Sequence, residues 1–120
     1  MADDEQGMDD RLTAVTDQLT AAVRRQADDR NPAHEDFYTW GWALSDIIRR
    51  LDDVAGVLGR QVGRYGDNKI LRDDQDADPT ERLTEAGAHL QALRSSLSSA
   101  LRSASDYHSA VGHVAVEVEL

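Results

Sequence analysis

The chain has 120 residues, and its 13 basic and 23 acidic side chains give a formal net charge of −10. This length provides for one small domain. The acidic balance argues against a nucleic-acid-binding protein, which needs a basic surface to displace counterions. The chain contains no cysteine, which excludes disulfides, thiolate metal sites and a cysteine nucleophile.

No apolar run approaches the roughly 20 residues that a membrane-spanning helix needs. The opening residues, MADDEQGMDD, are acidic where a signal peptide is basic and then apolar. We therefore expect a cytoplasmic protein that does not bind a membrane. Leu, Ile, Val and Phe together make up 25 residues, which is close to the lower limit for a folded domain. A core this thin favours self-association.

The first third of the chain predicts a tail followed by a helix. Residues 1–9 carry charge without periodicity, so we expect a flexible acidic tail there. Helical spacing of apolar residues then predicts a first helix over about residues 10–28. Asn31 followed by Pro32 is typical of a helix start, and it predicts a second helix over about residues 32–65.

The second helix carries the strongest pattern in the chain. Its apolar residues step by three and four over more than three heptads: Phe37, Trp40, Leu44, Ile48, Leu51, Ala55, Leu58, Val62 and Tyr65. This stripe is typical of coiled-coil packing, and we expect Phe37 and Trp40 to lie in the core. The pattern stops at Gly66, Asp67 and Asn68, a turn cluster in which we expect the cap of the helix C-terminus.

A second start signal predicts the third helix. Asp78, Pro79 and Glu81 occupy the cap, first and third positions of a helix N-terminus, and apolar spacing continues to about residue 112. Residues 114–120 alternate apolar and polar, and their role stays open. The sequence thus predicts an all-α protein, a small three-helix bundle with a long antiparallel hairpin, in which residues 10–113 form a single helical domain.

The best indication of a binding surface is a pair of aromatic residues that lie outside the apolar stripe of the second helix. Tyr38 and Trp42 are four residues apart, so they share one side of the second helix, near Arg49. Aromatic side chains concentrate binding energy at protein interfaces. We therefore predict that Tyr38, Trp42 and Arg49 bind a partner, although the first helix could equally cover the aromatic pair.

Glycines mark another side of the same helix. Gly41, Gly56, Gly59 and Gly63 fall close together on a helical wheel. Each glycine costs a helix about 1 kcal/mol relative to alanine. Four on one side indicate that another backbone packs close, and the third helix or a second copy would fit. Gly56, Gly59 and Gly63 complete the predicted partner-binding set.

Metal-binding and catalytic patterns are weak. Asp74, Asp76, Asp78 and Glu85 have partial EF-hand spacing, but Pro79 stands where the calcium loop needs glycine. The four histidines lack metal-site spacing, no glycine-rich phosphate loop exists, and the serines lie in a run along the third helix. We expect no cofactor, no metal and no enzymatic activity.

The sequence also predicts a function for the chain. We expect a non-enzymatic interaction or accessory protein that self-associates, most simply as a homodimer, through apolar helix faces. One alternative is a secreted hairpin, because the chain resembles type VII secretion substrates in length, helix content and lack of cysteine. It lacks their Trp-x-Gly turn, since Trp40, Gly41 and Trp42 are adjacent, and Tyr65 and Tyr107 have no acid four places on. Another alternative is an acidic decoy that mimics nucleic acid.

Overall fold

The computed structural model describes residues 7–120 and forms three helices: α1 (Met8–Asp28), α2 (His34–Arg64) and α3 (Pro79–Gly112). No strand occurs among these residues. α2 and α3 pack against each other as an antiparallel pair. The prediction of an all-α protein with three helices and a long antiparallel hairpin is confirmed.

The chain divides into two compact units, with the boundary between Ala33 and His34. α1 belongs to the first unit, and none of its residues is buried. Asp9 and Asp10 lie in its first turn and Arg25 in its last, where they complement the helix dipole. Most of the predicted acidic tail, residues 1–6, lies outside the described residues.

α2 begins two residues later than predicted. The Asp29 side chain accepts a hydrogen bond from the backbone N–H of Asn31 at 3.0 Å. Asn31 lies outside the helix, and α2 starts at His34 and not at Pro32. At the other end, Asn68 takes the left-handed conformation with a φ of 61°, and no described glycine does. This left-handed residue lies within the predicted turn cluster, and asparagine tolerates the conformation.

The loop between α2 and α3 is organised around one carboxylate. Asp73 accepts hydrogen bonds from the backbone N–H groups of Gln75 and Ala77 and from Arg82 Nε. Its side chain is only 8 % exposed. Asp78 then caps α3 by accepting from the Thr80 N–H at 2.9 Å, as the cap pattern predicts. These bonds fix the point where the chain reverses.

Small residues line the contact between α2 and α3. The buried residues of the hairpin are Gly41, Ala55 and Gly56 of α2 and Ala104 of α3. A Cβ built on Gly41 would lie 3.2 Å from the Cα of His108 and 2.8 Å from its Nδ1. The two backbones therefore approach too closely at this point for any side chain larger than hydrogen.

We predict that Gly41→Ala lowers the free energy of unfolding by about 1 kcal/mol, because overpacking against His108 outweighs the gain in helix propensity. Gly63→Ala is the matched control, since no atom lies within 4 Å of a Cβ at that position. It should raise stability by up to about 1 kcal/mol. Urea unfolding followed by circular dichroism at one protein concentration measures both. Equal effects of the two substitutions would contradict the close contact.

We also predict a pH effect from Asp73. Hydrogen bonds from the backbone of Ala77 and Gln75, and to a lesser extent from Arg82, hold the pKa of Asp73 below its ordinary value of 3.8. Burial has the opposite effect and raises this pKa. A carboxylate whose pKa is lower in the folded chain than in the unfolded chain stabilises the folded protein at pH values above its ordinary pKa. This stabilisation is lost as the pH falls through the pKa of the folded state.

Asp73→Asn should therefore be less stable than wild type at neutral pH and should lose less stability below pH about 4. Asp74→Asn, an exposed neighbour, should follow the wild-type profile. Urea midpoints measured from pH 7 to 2.5 test this expectation. Parallel profiles for wild type and Asp73→Asn would contradict it.

Candidate protein-binding face

Several large apolar residues of α2 lie beside the contact with α3, whereas Ile48 and Val62 are half-buried. Four of them recur at heptad spacing and remain exposed: Phe37 at 39 %, Leu44 at 39 %, Leu51 at 49 % and Leu58 at 44 %. The expectation that Phe37 lies in the core is wrong. The reason is that α3 packs on the neighbouring glycine and alanine side, where the helices can approach more closely.

α3 continues this exposed surface. Leu93, Ala100 and Tyr107 recur every seven residues and are all exposed. Because both helices are right-handed and run antiparallel, these residues lie on the same side of the hairpin as the α2 stripe. The Tyr107 hydroxyl donates a hydrogen bond to the backbone oxygen of Phe37 at 3.0 Å, which joins the two stripes at one end.

We call this surface the apolar face. It consists of α2 residues Phe37, Trp40, Leu44, Ile47, Leu51, Val54 and Leu58 and α3 residues Leu93, Ala100 and Tyr107. Of these, Trp40 and Ile47 are half-buried and the others are exposed. None of the ten is charged, whereas the chain as a whole is 30 % charged. Exposed apolar patches rimmed by polar residues often mark protein-interaction sites.

The predicted aromatic pair does not belong to this face. Trp42 is exposed, at 66 %, and Tyr38 is exposed at 48 %. The Tyr38 ring packs against the His108 imidazole with a centroid distance of 4.1 Å, so part of the aromatic pair is used within the hairpin. Arg49 is exposed on the same side of α2 as Trp42. Their role in binding a partner stays a prediction.

The structure separates the glycines into two groups. Gly41 and Gly56 are buried against α3, where a Cβ on Gly56 would lie 3.2 Å from Cζ of Arg94. Gly59 and Gly63 have no neighbouring atom within 4 Å of a Cβ, and Gly59 instead borders an open groove of about 240 Å³. The close backbone approach inferred from all four glycines therefore applies at Gly41, where the near atoms include the Cα of His108, whereas Gly56 faces the Arg94 side chain.

An ion pair connects the helices beside Gly56. Arg94 donates from Nε and a terminal nitrogen to the two Asp52 oxygens, at 2.9 and 3.2 Å. The Arg94 hydrogen bond is the main cause that holds the pKa of Asp52 below its ordinary value, while burial opposes it. Because guanidinium and carboxylate meet in parallel, this pair fixes the register of the helices as well as joining them.

His108 is the polar residue most restricted by the hairpin. Its Nδ1 is buried and has no hydrogen-bond partner. The imidazole is confined between Gly41 and the Tyr38 ring. The sequence contains no signal for this contact, because His108 and Gly41 come from separate helices whose relative rotation only packing determines.

No group of three or more histidine, aspartate or glutamate side chains between residues 7 and 120 is arranged to hold a metal ion. No helix within that range is long and apolar enough to span a bilayer.

The fold and surface thus define an all-α helical-hairpin protein with an exposed apolar face. Comparison with known proteins finds no family model, curated protein or solved structure that matches this chain.

Proposed function

We propose that the chain is a non-enzymatic helical interaction protein that self-associates, most simply as a homodimer, through the apolar face. The observation that carries this proposal is the uncharged stripe of large apolar side chains along α2, from Phe37 to Leu58, which the hairpin leaves exposed. Packing of such a stripe against another helical surface is how helices gain most of their stability.

The thin core of the hairpin supports the same conclusion. Among residues 7–120, the buried hydrophobic residues are Ala55 and Ala104. Full burial of one leucine, valine or phenylalanine side chain contributes about 1.5–3 kcal/mol, whereas alanine contributes much less. A hairpin whose leucines are still half exposed therefore has substantial hydrophobic stabilisation to gain from association.

The charge distribution agrees with a protein partner and a cytoplasmic role. The net charge of −10 opposes contact with the phosphates of nucleic acids or anionic lipids. The apolar face itself carries no charged side chain, so a second copy meets no repulsion there. An enzyme would need converging acid–base or metal-binding groups, and nothing in the described contacts favours that class.

We predict that wild type is a dimer and that Leu51→Asp is a monomer, because a carboxylate in the centre of the buried face would lose its hydration without a partner. Val57→Asp is the matched control. Val57 is an exposed apolar residue of the same helix, at 42 %, but it lies off the apolar face. Light scattering after size exclusion measures the masses, and circular dichroism checks that each variant remains helical.

Trp42→Ala separates this face from the predicted aromatic site. It should remain a dimer if the apolar face is the interface. A dimer that Trp42→Ala dissociates and Leu51→Asp does not would place the interface at the aromatic pair. A monomeric wild type would contradict self-association altogether. If Leu51→Asp does not fold, Leu51→Gln provides a milder change at the same position.

A further inference from the structure

We propose that residues 114–120 form a recognition strand, which binds another protein by adding to the open edge of a β-sheet in that partner. This inference goes beyond the self-association proposed above and uses a different part of the chain. Three observations carry it: the alternation of apolar and polar residues, the unused hydrogen-bonding groups of the backbone, and the separation of the acidic side chains from the large apolar ones.

The side chains of this segment alternate with the period of a β-strand. In an extended chain its large apolar residues share one side: Val114, Val116, Val118 and Leu120. All four are exposed, and three are valines, a β-branched type that favours strands. Glu117 and Glu119 belong to the other side. No residue of the segment has a positive φ, so its backbone conformation is compatible with an extended strand.

The backbone of the segment is available for pairing. Beyond α3, the last backbone hydrogen bond joins the Val114 N–H to the Val111 carbonyl at 3.2 Å. Within the described range of the chain, residues 115–120 make no hydrogen bond or ion pair. Their N–H and C=O groups can therefore pair with the unpaired groups that an open sheet edge presents.

The pairing partner is a different protein. Residues 7–120 contain no sheet to which the segment could add. In a pair formed with the same segment of a second copy, Glu117 and Glu119 would lie beside the other strand's glutamates, where like charges repel, or beside its valines. An isolated two-stranded ribbon is also only marginally stable in water. A partner that already contains a sheet avoids these costs.

The two sides of the segment specify the chemistry of that sheet edge. Val116 and Val118 need apolar pockets on one face of the partner's sheet, because alternate side chains of an added strand give the specificity. Glu117 and Glu119 project to the opposite face, where lysine or arginine side chains complement them. Lysine is common on open sheet edges, since it hinders aggregation between edges. The partner thus has an edge that is apolar on one face and basic on the other.

Selection from a phage-displayed library of genomic fragments provides the partner domains for the test. The fragments come from the organism that encodes the chain, and the bait is the immobilised full chain. Each selected domain is purified, and calorimetry measures its Kd for wild type and for two double variants. Val116→Ser with Val118→Ser changes the apolar side, and Glu117→Ser with Glu119→Ser is the matched change on the acidic side. Circular dichroism checks that both remain helical.

The two double variants should differ in size and in salt dependence. Loss of two buried valines should weaken binding about tenfold or more. The acidic-side variant should lose only a few-fold, and this loss should disappear at about 0.5 M salt, where surface charges are screened. Leu51→Asp should bind like wild type, because the segment acts without the apolar face.

Backbone methylation distinguishes strand addition from other ways of binding the same residues. Only alternate N–H groups of an added strand point to the edge. One N-methyl group is placed at residue 116, 117, 118 or 119 by ligating a synthetic segment through a temporary Ala115→Cys, which desulfurisation returns to alanine. The natural chain has no cysteine, so this chemistry acts at one position. Methylation of paired N–H groups should weaken binding about tenfold, so that 116 and 118 behave alike and opposite to 117 and 119.

Several outcomes would overturn the proposal. One is an equal effect of all four methyl groups, and another is wild-type affinity of the apolar-side variant for every selected domain. A selection that yields no domain with a β-sheet would also overturn it. Loss of binding in Leu51→Asp alone would place the partner on the apolar face instead. None of these results depends on the oligomeric state, which light scattering measures separately for the proposed self-association.

Discussion

The close approach of α2 and α3 is the contact on which the rest of the hairpin depends. Gly41 against His108 allows the two backbones to approach closely, and Gly56 leaves room for the guanidinium group of Arg94. This approach brings Arg94 within reach of Asp52 and the Tyr107 hydroxyl within reach of the Phe37 carbonyl. It also determines which side of α2 is covered, and therefore which side remains available for association.

Compact small-residue packing has a thermodynamic consequence. Glycine and alanine contribute little apolar area, so the contact that joins the helices gives shape and register more than hydrophobic stabilisation. Ion pairs such as that of Asp52 with Arg94 add modestly, because both side chains remain partly exposed, at 37 % and 40 %. The large apolar side chains of α2, which would contribute more hydrophobic stabilisation if they were buried, lie exposed beside this contact. The self-association proposed above would therefore couple folding to association.

The helix boundaries were largely predictable, because they depend on local chemistry. The Asp78 cap and the proline that follows it place the start of α3 correctly at Pro79. The end of α1 at Asp28 and of α3 at Gly112 also agree with the predicted spans. The start of α2 at His34 lies two residues beyond the predicted start at Pro32. The turn cluster that was expected to end α2 is present, with Asn68 in the left-handed conformation.

By itself the sequence determined the helical class, the three elements and the presence of a long apolar stripe on α2, since these follow from periodicity and capping within a few residues. Only the tertiary structure decided that α3 packs beside that stripe and leaves Leu44, Leu51 and Leu58 exposed. Periodicity shows which residues share a side of one helix, but two adjacent sides of α2 were candidates for the contact. The choice between them depends on how closely two backbones can approach, which is a property of the pair of helices and not of either alone.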